Sequence, residues 1–174
     1  MTLHNSIPSL ILAIAVLSIA SCAKNPANKT GEQQSAAPVR SENVVKVHAS
    51  TTDIPAGGTA DAIIDVSIDD GYHVNANPPT YPFLKPTELE LNPANGISAG
   101  FIAYPNSFMK QFPFAEKPIA IYEGHTQVKV LLKADPAAKK ELVKVPAKLK
   151  VQACDEEVCY PPGEIALTIP VNVR

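Results

Sequence analysis

The chain has 174 residues, of which 45% are hydrophobic and 18% are charged, as in a globular protein rather than a disordered one. This length suits one domain. The formal net charge of -2 provides no basic surface for a phosphate backbone, so we do not expect nucleic acid as a partner. The 17 prolines and 8 glycines, with no tryptophan, favour short strands joined by stiff turns over a helical bundle.

The amino-terminal segment is typical of an exported bacterial protein. Residues 10–20 form an apolar run that is too short to span a bilayer, which takes about 20 apolar residues. The run ends at residues 19–22, IASC, which resemble a lipobox, where small residues admit a peptidase and the cysteine sulfur accepts a lipid. We therefore predict a lipoprotein signal peptide at residues 1–21 and lipidation of Cys22. A plain secretory signal with an incidental cysteine is the alternative.

The segment after the lipobox is polar and lacks a hydrophobic period. Residues 22–42 are therefore predicted to form a lipidated flexible tether, and residues 43–174 a single folded domain. The lipid would hold this domain on a bacterial membrane, facing the periplasm or the cell exterior.

Alternating apolar and polar residues begin near residue 43 and predict strands that bury one face. The longer patterns are at residues 61–69, 127–133, 143–153 and 165–173, and the shorter ones at 44–49, 72–75, 87–91, 97–103 and 119–122. Only residues 135–142 could hold a helical turn, whereas residues 76–86 and 104–117 resist strand assignment. This number of strands, with turn signals between them, predicts an all-β fold of two packed antiparallel sheets.

Cys154 and Cys159 are the chemical centre of the sequence, because the third cysteine, Cys22, is accounted for by the lipid. A disulfide needs Cα atoms within about 7 Å, whereas five extended residue steps reach about 17 Å, so pairing requires the segment to fold back. An exported pair meets an oxidising environment. A loop this short gains less from closure than the roughly 3 kcal/mol of a 15-residue loop, which makes a purely structural role energetically weak.

The charges between the cysteines favour a reductant. Asp155, Glu156 and Glu157 disfavour a thiolate and should raise the thiol pKa values. Destabilising the reduced thiolate form makes a pair more reducing. Exchange would then depend on a docked partner that activates it.

Three roles for the pair stay open on the residues alone, namely redox exchange, a structural disulfide and a soft-metal thiolate site. Two thiolates alone leave tetrahedral zinc or copper undercoordinated. No histidine stands at ligand spacing from the pair, so we expect no metal and no other cofactor. We expect solvent-facing or structural roles for His48, His73 and His125.

Residues 151–162, VQACDEEVCYPP, resemble the signature of the amino-terminal domain family of the thiol:disulfide interchange protein DsbD. The resemblance covers about residues 43–174 and implies an immunoglobulin-like β-sandwich, which agrees with the alternation. Other stretches resemble this family in the same order, namely residues 71–79 (GYHVNANPP), 85–87 (KPT), 104–105 (YP) and 121–124 (IYEG).

The resemblance implies a redox carrier with thiol:disulfide interchange activity. Such a carrier accepts electrons from a thioredoxin-like or transmembrane thiol reductase and passes them to oxidised periplasmic proteins. By motif position Cys159 forms the mixed disulfide with partners and Cys154 resolves it. The strand pattern agrees, since Cys154 ends a long alternating strand and is expected to lie against the sandwich. In this family an aromatic residue on a cap loop shields the pair, and Phe112 and Phe114 lie in the corresponding stretch.

Full-length DsbD continues into a transmembrane bundle and a thioredoxin-like domain, and this chain has no Cys-x-x-Cys motif. We therefore expect a separate electron donor. The alternative is a non-catalytic β-sandwich that binds a partner protein or copper and keeps Cys154–Cys159 as a structural disulfide.

We predict that Cys22→Ser releases the protein from membranes, because the polar tether offers no other anchor. One acyl chain gives only marginal membrane binding, so the mature form should be multiply acylated. Fractionation of cells that export a tagged protein measures this. Unchanged membrane association of the exported variant would contradict the lipobox assignment.

Overall fold

The computed structural model describes residues 39–174, so the predicted signal peptide, Cys22 and most of the predicted tether lie outside the described residues. Within the described part, one short 3₁₀ helix, Ser41–Asn43, precedes twelve strands. None of its helical segments is long and apolar enough to cross a membrane. The strands are β1 (Val45–Ala49), β2 (Thr52–Ile54), β3 (Thr59–Ile68), β4 (His73–Asn75), β5 (Glu88–Leu91), β6 (Ile97–Ala103), β7 (Phe108–Lys110), β8 (Ile119–Tyr122), β9 (His125–Ala134), β10 (Leu142–Val151), β11 (Ala153–Cys154) and β12 (Gly163–Val173).

The first sheet contains β1, β3, β9 and β6 in that order, and all its pairs are antiparallel. Its central pair, β3 and β9, aligns over nine residue pairs. Alternate residues of β3, such as Ile64 and Val66, are buried. Ile63, which interrupts the apolar alternation in the sequence, lies on the outer face and is partly exposed. One face of this sheet is therefore committed to the core.

The second sheet contains β2, β12, β10 and β5 in that order. Its spine is the antiparallel pair of β10 and β12, which aligns over ten residue pairs. The edge strand β2 runs parallel to β12, in contrast to the wholly antiparallel sheets predicted. The chain enters β2 directly from β1, which belongs to the other sheet. A salt bridge of 2.7 Å between Arg174, which follows β12, and Asp53 of β2 joins the two strands at this edge.

The inward residues of both sheets form one continuous hydrophobic core, which confirms the predicted all-β, two-sheet sandwich. It combines β3 and β9 of the first sheet with β10 and β12 of the second. These four strands carry the longest alternating patterns of the sequence. Burial of their apolar faces is the main stabilising contribution.

A third, smaller sheet, which the alternation did not predict, contains β11, β4, β8 and β7 in that order. The single strand predicted at residues 143–153 is in fact two, because the chain changes partners at Gln152. β10 pairs with β12 and β5, whereas β11 pairs with β4. Residues 108–110 form the edge strand β7 within the stretch that resisted assignment, and their exposed Phe108 and Met109 explain why no buried face was visible.

Residues 135–141 form turns rather than a helix. The Asp135 carboxylate accepts the Ala137 N–H at 2.7 Å, and the Asp135 carbonyl accepts the Ala138 N–H at 2.9 Å. An aspartate that bonds its own downstream backbone favours a turn over a continuing helix.

We predict that Leu149→Ala lowers the free energy of unfolding by about 2–5 kcal/mol, because it leaves a cavity in the core. Leu149 is 0% exposed and Leu142, on the same strand, is 58% exposed. Leu142→Ala is the matched control and should change stability by about 0.5 kcal/mol or less. Urea denaturation of the oxidised proteins measures both values. Equal losses in the two variants would contradict the core assignment.

Candidate functional site

The Cys154–Cys159 disulfide lies where the second sheet gives way to the third. Its sulfurs are 2.00 Å apart and its Cα atoms 3.9 Å apart. The two residues also form an isolated antiparallel bridge. The segment between them therefore folds back on itself, as pairing requires.

Asp155 organises the turn between the cysteines. Its Oδ1 accepts the N–H groups of Glu157 and Val158, both at 2.8 Å, and its own N–H donates to the Val158 carbonyl at 3.0 Å. Below the turn, the Tyr160 N–H donates to the Ala153 carbonyl at 2.8 Å. Aspartate favours such turns because its short side chain reaches backbone donors two and three residues ahead. The hairpin is thus held by backbone bonds as well as by the sulfur bridge.

The Asp155 carboxylate also accepts a hydrogen bond from the Tyr160 hydroxyl at 2.5 Å. This bond, followed by the bonds from Val158 and Glu157, lowers the pKa of Asp155. The same contact raises the pKa of Tyr160 to about 12. At neutral pH the carboxylate is therefore ionised and the phenol protonated, so their hydrogen bond persists.

Ser41 clasps both arms of the hairpin. Its hydroxyl donates to the Pro161 carbonyl at 2.6 Å and accepts the Ala153 N–H at 2.9 Å. Ser41 is completely buried. It falls within residues 22–42, which the sequence assigns to a polar tether, and no local pattern identified it. One side chain thus joins the residue before Cys154 to the segment after Cys159.

The two cysteines differ sharply in exposure. Cys154 is 1% exposed and lies against the sandwich, as its place at the end of an alternating strand predicted. Cys159 is exposed. A molecule approaching from solvent therefore meets Cys159 before Cys154.

The predicted cap residues lie at the same end of the molecule, in two layers. Phe112 is fully buried and stacks on His73, with ring centroids 4.5 Å apart. Phe114 is 51% exposed and stacks on Phe112 at 5.3 Å. His73 in turn is the cross-strand partner of Cys154. The structure thus connects this aromatic pair to the cysteine hairpin through His73, while the shielding role of either phenylalanine stays a prediction.

His73 lies beside the cysteine hairpin, although its spacing from the cysteines in the sequence is not that of a metal ligand. The residue is 3% exposed, and all three residues of β4 are buried. Burial lowers the pKa of the imidazole, and the Lys110 ammonium acts in the same direction, whereas nearby carboxylates oppose both. The sequence predicted a solvent-facing or structural role for His73, and the residue is buried; its pairing with the cysteine strand was not predicted.

A lysine from β7 forms an ion pair with an acidic residue of the hairpin. The Lys110 ammonium lies 2.9 Å from a Glu156 carboxylate oxygen and 3.6 Å from one of Glu123. The hydrogen bond that the Lys110 ammonium donates to Glu156 is the chief reason that the pKa of Lys110 is raised. These groups and His73 line an open cleft of about 440 Å³. The local sequence, with three acids between the cysteines, therefore overstates the negative charge at the pair.

Polar side chains tie the loop at residues 76–86 to the hairpin. Gln152 Oε1 accepts from the Asn75 amide and from the Lys85 N–H, both at 3.1 Å. Asn75 also donates to the Lys85 carbonyl at 3.0 Å. The loop contains a cis peptide between Asn77 and Pro78. Residues 71–79 and 85–87, two of the stretches that resemble the DsbD family, thus meet beside the cysteine motif.

The other described histidines lie on exposed positions, with His125 Nδ1 hydrogen-bonded to the Ser67 hydroxyl at 2.9 Å. Among residues 39–174, no three His, Cys, Asp or Glu side chains are grouped as metal ligands would be.

The fold and the site define a β-sandwich domain that carries a hairpin disulfide with one exposed and one buried cysteine. The family described as thiol:disulfide interchange protein DsbD, N-terminal, matches residues 40–169. The chain belongs to this family, which confirms the resemblance carried by the cysteine motif.

One solved structure supports the same fold. The N-terminal periplasmic domain of ScsB from Proteus mirabilis is 14% identical, with a TM-score of 0.50, over 72% of this chain and 44% of that chain. The present chain thus spans less than half of the length of that chain. A cohesin–dockerin complex from Clostridium thermocellum is 8% identical, with a TM-score of 0.41, over 79% of this chain and 99% of the other. A search of curated proteins finds no match.

We predict that Ser41→Ala lowers the free energy of unfolding by about 1–3 kcal/mol, because the buried Ala153 N–H loses its acceptor. Ser67→Ala is the matched control, since the Ser67 hydroxyl bonds His125 on an exposed face. Urea denaturation measures both, and amide hydrogen exchange at Ala153 should quicken only in Ser41→Ala. Equal stability of Ser41→Ala and the parent protein would show that the clasp contributes nothing.

Proposed function

We propose that this chain is a thiol-disulfide exchange domain of the cell envelope. It accepts electrons from a thioredoxin-like or transmembrane thiol reductase and passes them to oxidised exported proteins. The observation that carries the proposal is the disulfide itself, with Cys159 exposed and Cys154 buried in a short hairpin. Membership of the DsbD amino-terminal family supports it.

In the reduction of the domain, a partner thiolate attacks the Cys159 sulfur and the Cys154 thiolate leaves. The partner's second thiol then attacks the partner sulfur that is bonded to Cys159, and this attack releases Cys159 as a thiolate. Two electrons have now moved to the cysteine pair, and the partner holds a disulfide. The same steps in reverse reduce a client disulfide.

The exposure of the two cysteine residues supports these roles. Exchange needs the attacking sulfur to approach in line with the bond that it breaks, and access limits the rate. Cys159 stands open to such an approach, whereas the buried Cys154 is placed to leave and return. The short loop also means that the disulfide adds little to the stability of the fold, which a reversibly opened bond requires.

The aromatic pair fits a shielding role. Phe112 is packed into a small cluster with Leu84, Ile119 and Ile121, so it forms a fixed base. Phe114 stacks on that base with half of its surface exposed. We propose that Phe114, supported by Phe112, limits access to the pair from its own side, while Cys159 stays exposed.

The location is proposed from two observations. The lipobox at residues 19–22 favours a lipid anchor at Cys22. The structural relative from Proteus mirabilis is described as a periplasmic domain. A lipid-anchored domain facing the periplasm would meet both membrane reductases and exported clients.

We predict that Cys159, and not Cys154, is captured by a redox partner. Cys154→Ser and Cys159→Ser are prepared in the Cys22→Ser background, and each is activated as a mixed disulfide with a small thiol. Each is then incubated with a thioredoxin-like protein that lacks its resolving cysteine. A non-reducing gel should show the covalent adduct with Cys154→Ser, because its remaining Cys159 is exposed.

The matched variant Cys159→Ser should give little adduct, since its remaining Cys154 is buried. Adduct through Cys154 alone would reverse the assignment. Absence of adduct from either variant, across several thioredoxin-like partners, would favour a binding module with a structural disulfide.

A further inference from the structure

The return of Cys154 to the disulfide poses a chemical difficulty. To close a mixed disulfide held at Cys159, Cys154 must attack as a thiolate. Cys154 is 1% exposed, and burial disfavours the charged form of a thiol. The adjacent carboxylate of Asp155 opposes a second negative charge in the same way. Closure at neutral pH therefore needs a nearby group that takes the thiol proton.

His73 stands at the position that this step requires. It is the register partner of Cys154 in the antiparallel pair of β4 and β11. Directly opposite residues of such a pair project from the same face, with Cβ atoms about 4.5–5.5 Å apart. The side chains of His73 and Cys154 consequently project from one face of the third sheet, with their Cβ atoms at this separation. His48 and His125 occupy exposed positions in the first sheet.

The surroundings fix the ring and give its proton a way out. Phe112 stacks on the imidazole with an angle of 27° between the ring planes. The residue also lines the cleft of about 440 Å³, which is open to solvent. The imidazole can therefore pass its proton to a group that reaches this cleft, such as a released client thiolate.

The charged groups that face His73 come from three elements. Lys110 lies on β7, Glu123 follows β8, and Asp155 and Glu156 belong to the hairpin. Burial is the largest influence and lowers the pKa of His73, with Lys110 acting in the same direction and the three carboxylates opposing. Since the pKa lies below its ordinary value, the neutral imidazole, which is the proton acceptor, predominates at neutral pH.

We propose that His73 is the acid–base residue of the exchange, taking the proton from Cys154 when Cys154 closes the disulfide and returning it when Cys154 leaves. This proposal rests on the proposed function. A histidine beside a thiol is a common way to activate a sulfur nucleophile.

The exchange moves two electrons from the cysteine pair to the client and leaves His73 neutral. The Cys159 thiolate attacks an oxidised client and displaces one client sulfur, which takes up a proton. His73 then accepts the Cys154 proton, and the Cys154 thiolate attacks the Cys159 sulfur. The Cys154–Cys159 bond forms, the bond from Cys159 to the client breaks, and the released client thiolate takes the proton that His73 holds. The cysteine pair is oxidised by two electrons, the client disulfide is reduced to two thiols, and His73 is neutral again.

The test separates closure from the first attack. The full chain carrying Cys22→Ser is purified in mild detergent, reduced, and mixed with an aromatic disulfide reagent that releases thionitrobenzoate. The first release reports attack by Cys159, and the second reports closure by Cys154. Stopped-flow absorbance follows both releases as a function of pH.

We predict that His73→Phe, which keeps an aromatic ring against Phe112, slows the second release by about 100-fold or more at neutral pH. The first release should be unchanged. The parent rate of closure should rise with pH and level off above the pKa of His73, whereas the variant rate should keep rising with hydroxide. The reduction potential should stay the same, because the base returns its proton. His125→Phe, in the same cleft, is the matched control and should behave as the parent.

A second variant separates acid–base chemistry from packing. Free imidazole should restore closure in His73→Ala, which removes the side chain and opens its space to the cleft. Slow closure that imidazole does not restore would overturn the proposal in favour of a packing role. Closure at the parent rate in both His73 variants would overturn it while leaving the exchange function intact. Release of only one equivalent by the parent protein would reject the exchange function, and this proposal with it.

Discussion

The pairing of Ala153 and Cys154 with Val74 and His73 is the contact on which the site depends. Two residues of β11 leave the second sheet and join the third, and this step buries Cys154 at the end of the core. The next residues have no strand to follow, so they turn back through Asp155 and present Cys159 to solvent. The short strand thus separates a buried Cys154 from an exposed Cys159 within six residues.

Much of the sandwich was predictable from the sequence, because β3, β9, β10 and β12 each bury one face and so alternate. The strands that escaped prediction are β2 and β7, each of three residues, and two adjacent exposed residues in β7 leave it without a period of two. The cysteine pair was visible as a motif. Its supporting residues were not, since Ser41, His73 and Lys110 reach the hairpin across long stretches of chain, through pairings that no local pattern records.

The charge around the cysteine pair depends on the fold as well as on the local sequence. Three acids between two cysteines suggest a strongly negative site, yet Asp155 directs its oxygens at backbone N–H groups and at the Tyr160 hydroxyl. Glu156 is paired with Lys110. Hydrogen-bond donors and an ammonium group within a few ångströms therefore offset much of the negative charge of these carboxylates. The expectation of a reducing pair, drawn from the sequence, then depends more on the burial of Cys154, which disfavours its thiolate, than on the acids beside it.

The hydrogen bonds of Ser41 also determine which end of the domain would face a surface to which the chain is attached. The amino-terminal end of the fold is fixed beside the disulfide, whereas Arg174 bonds Asp53 at the far end of the long pair of β10 and β12. Nine residue steps separate the ends of that pair, a span of roughly 30 Å. Attachment to a surface through the amino-terminal side would turn the cysteine hairpin toward that surface, and attachment through Arg174 would turn it away.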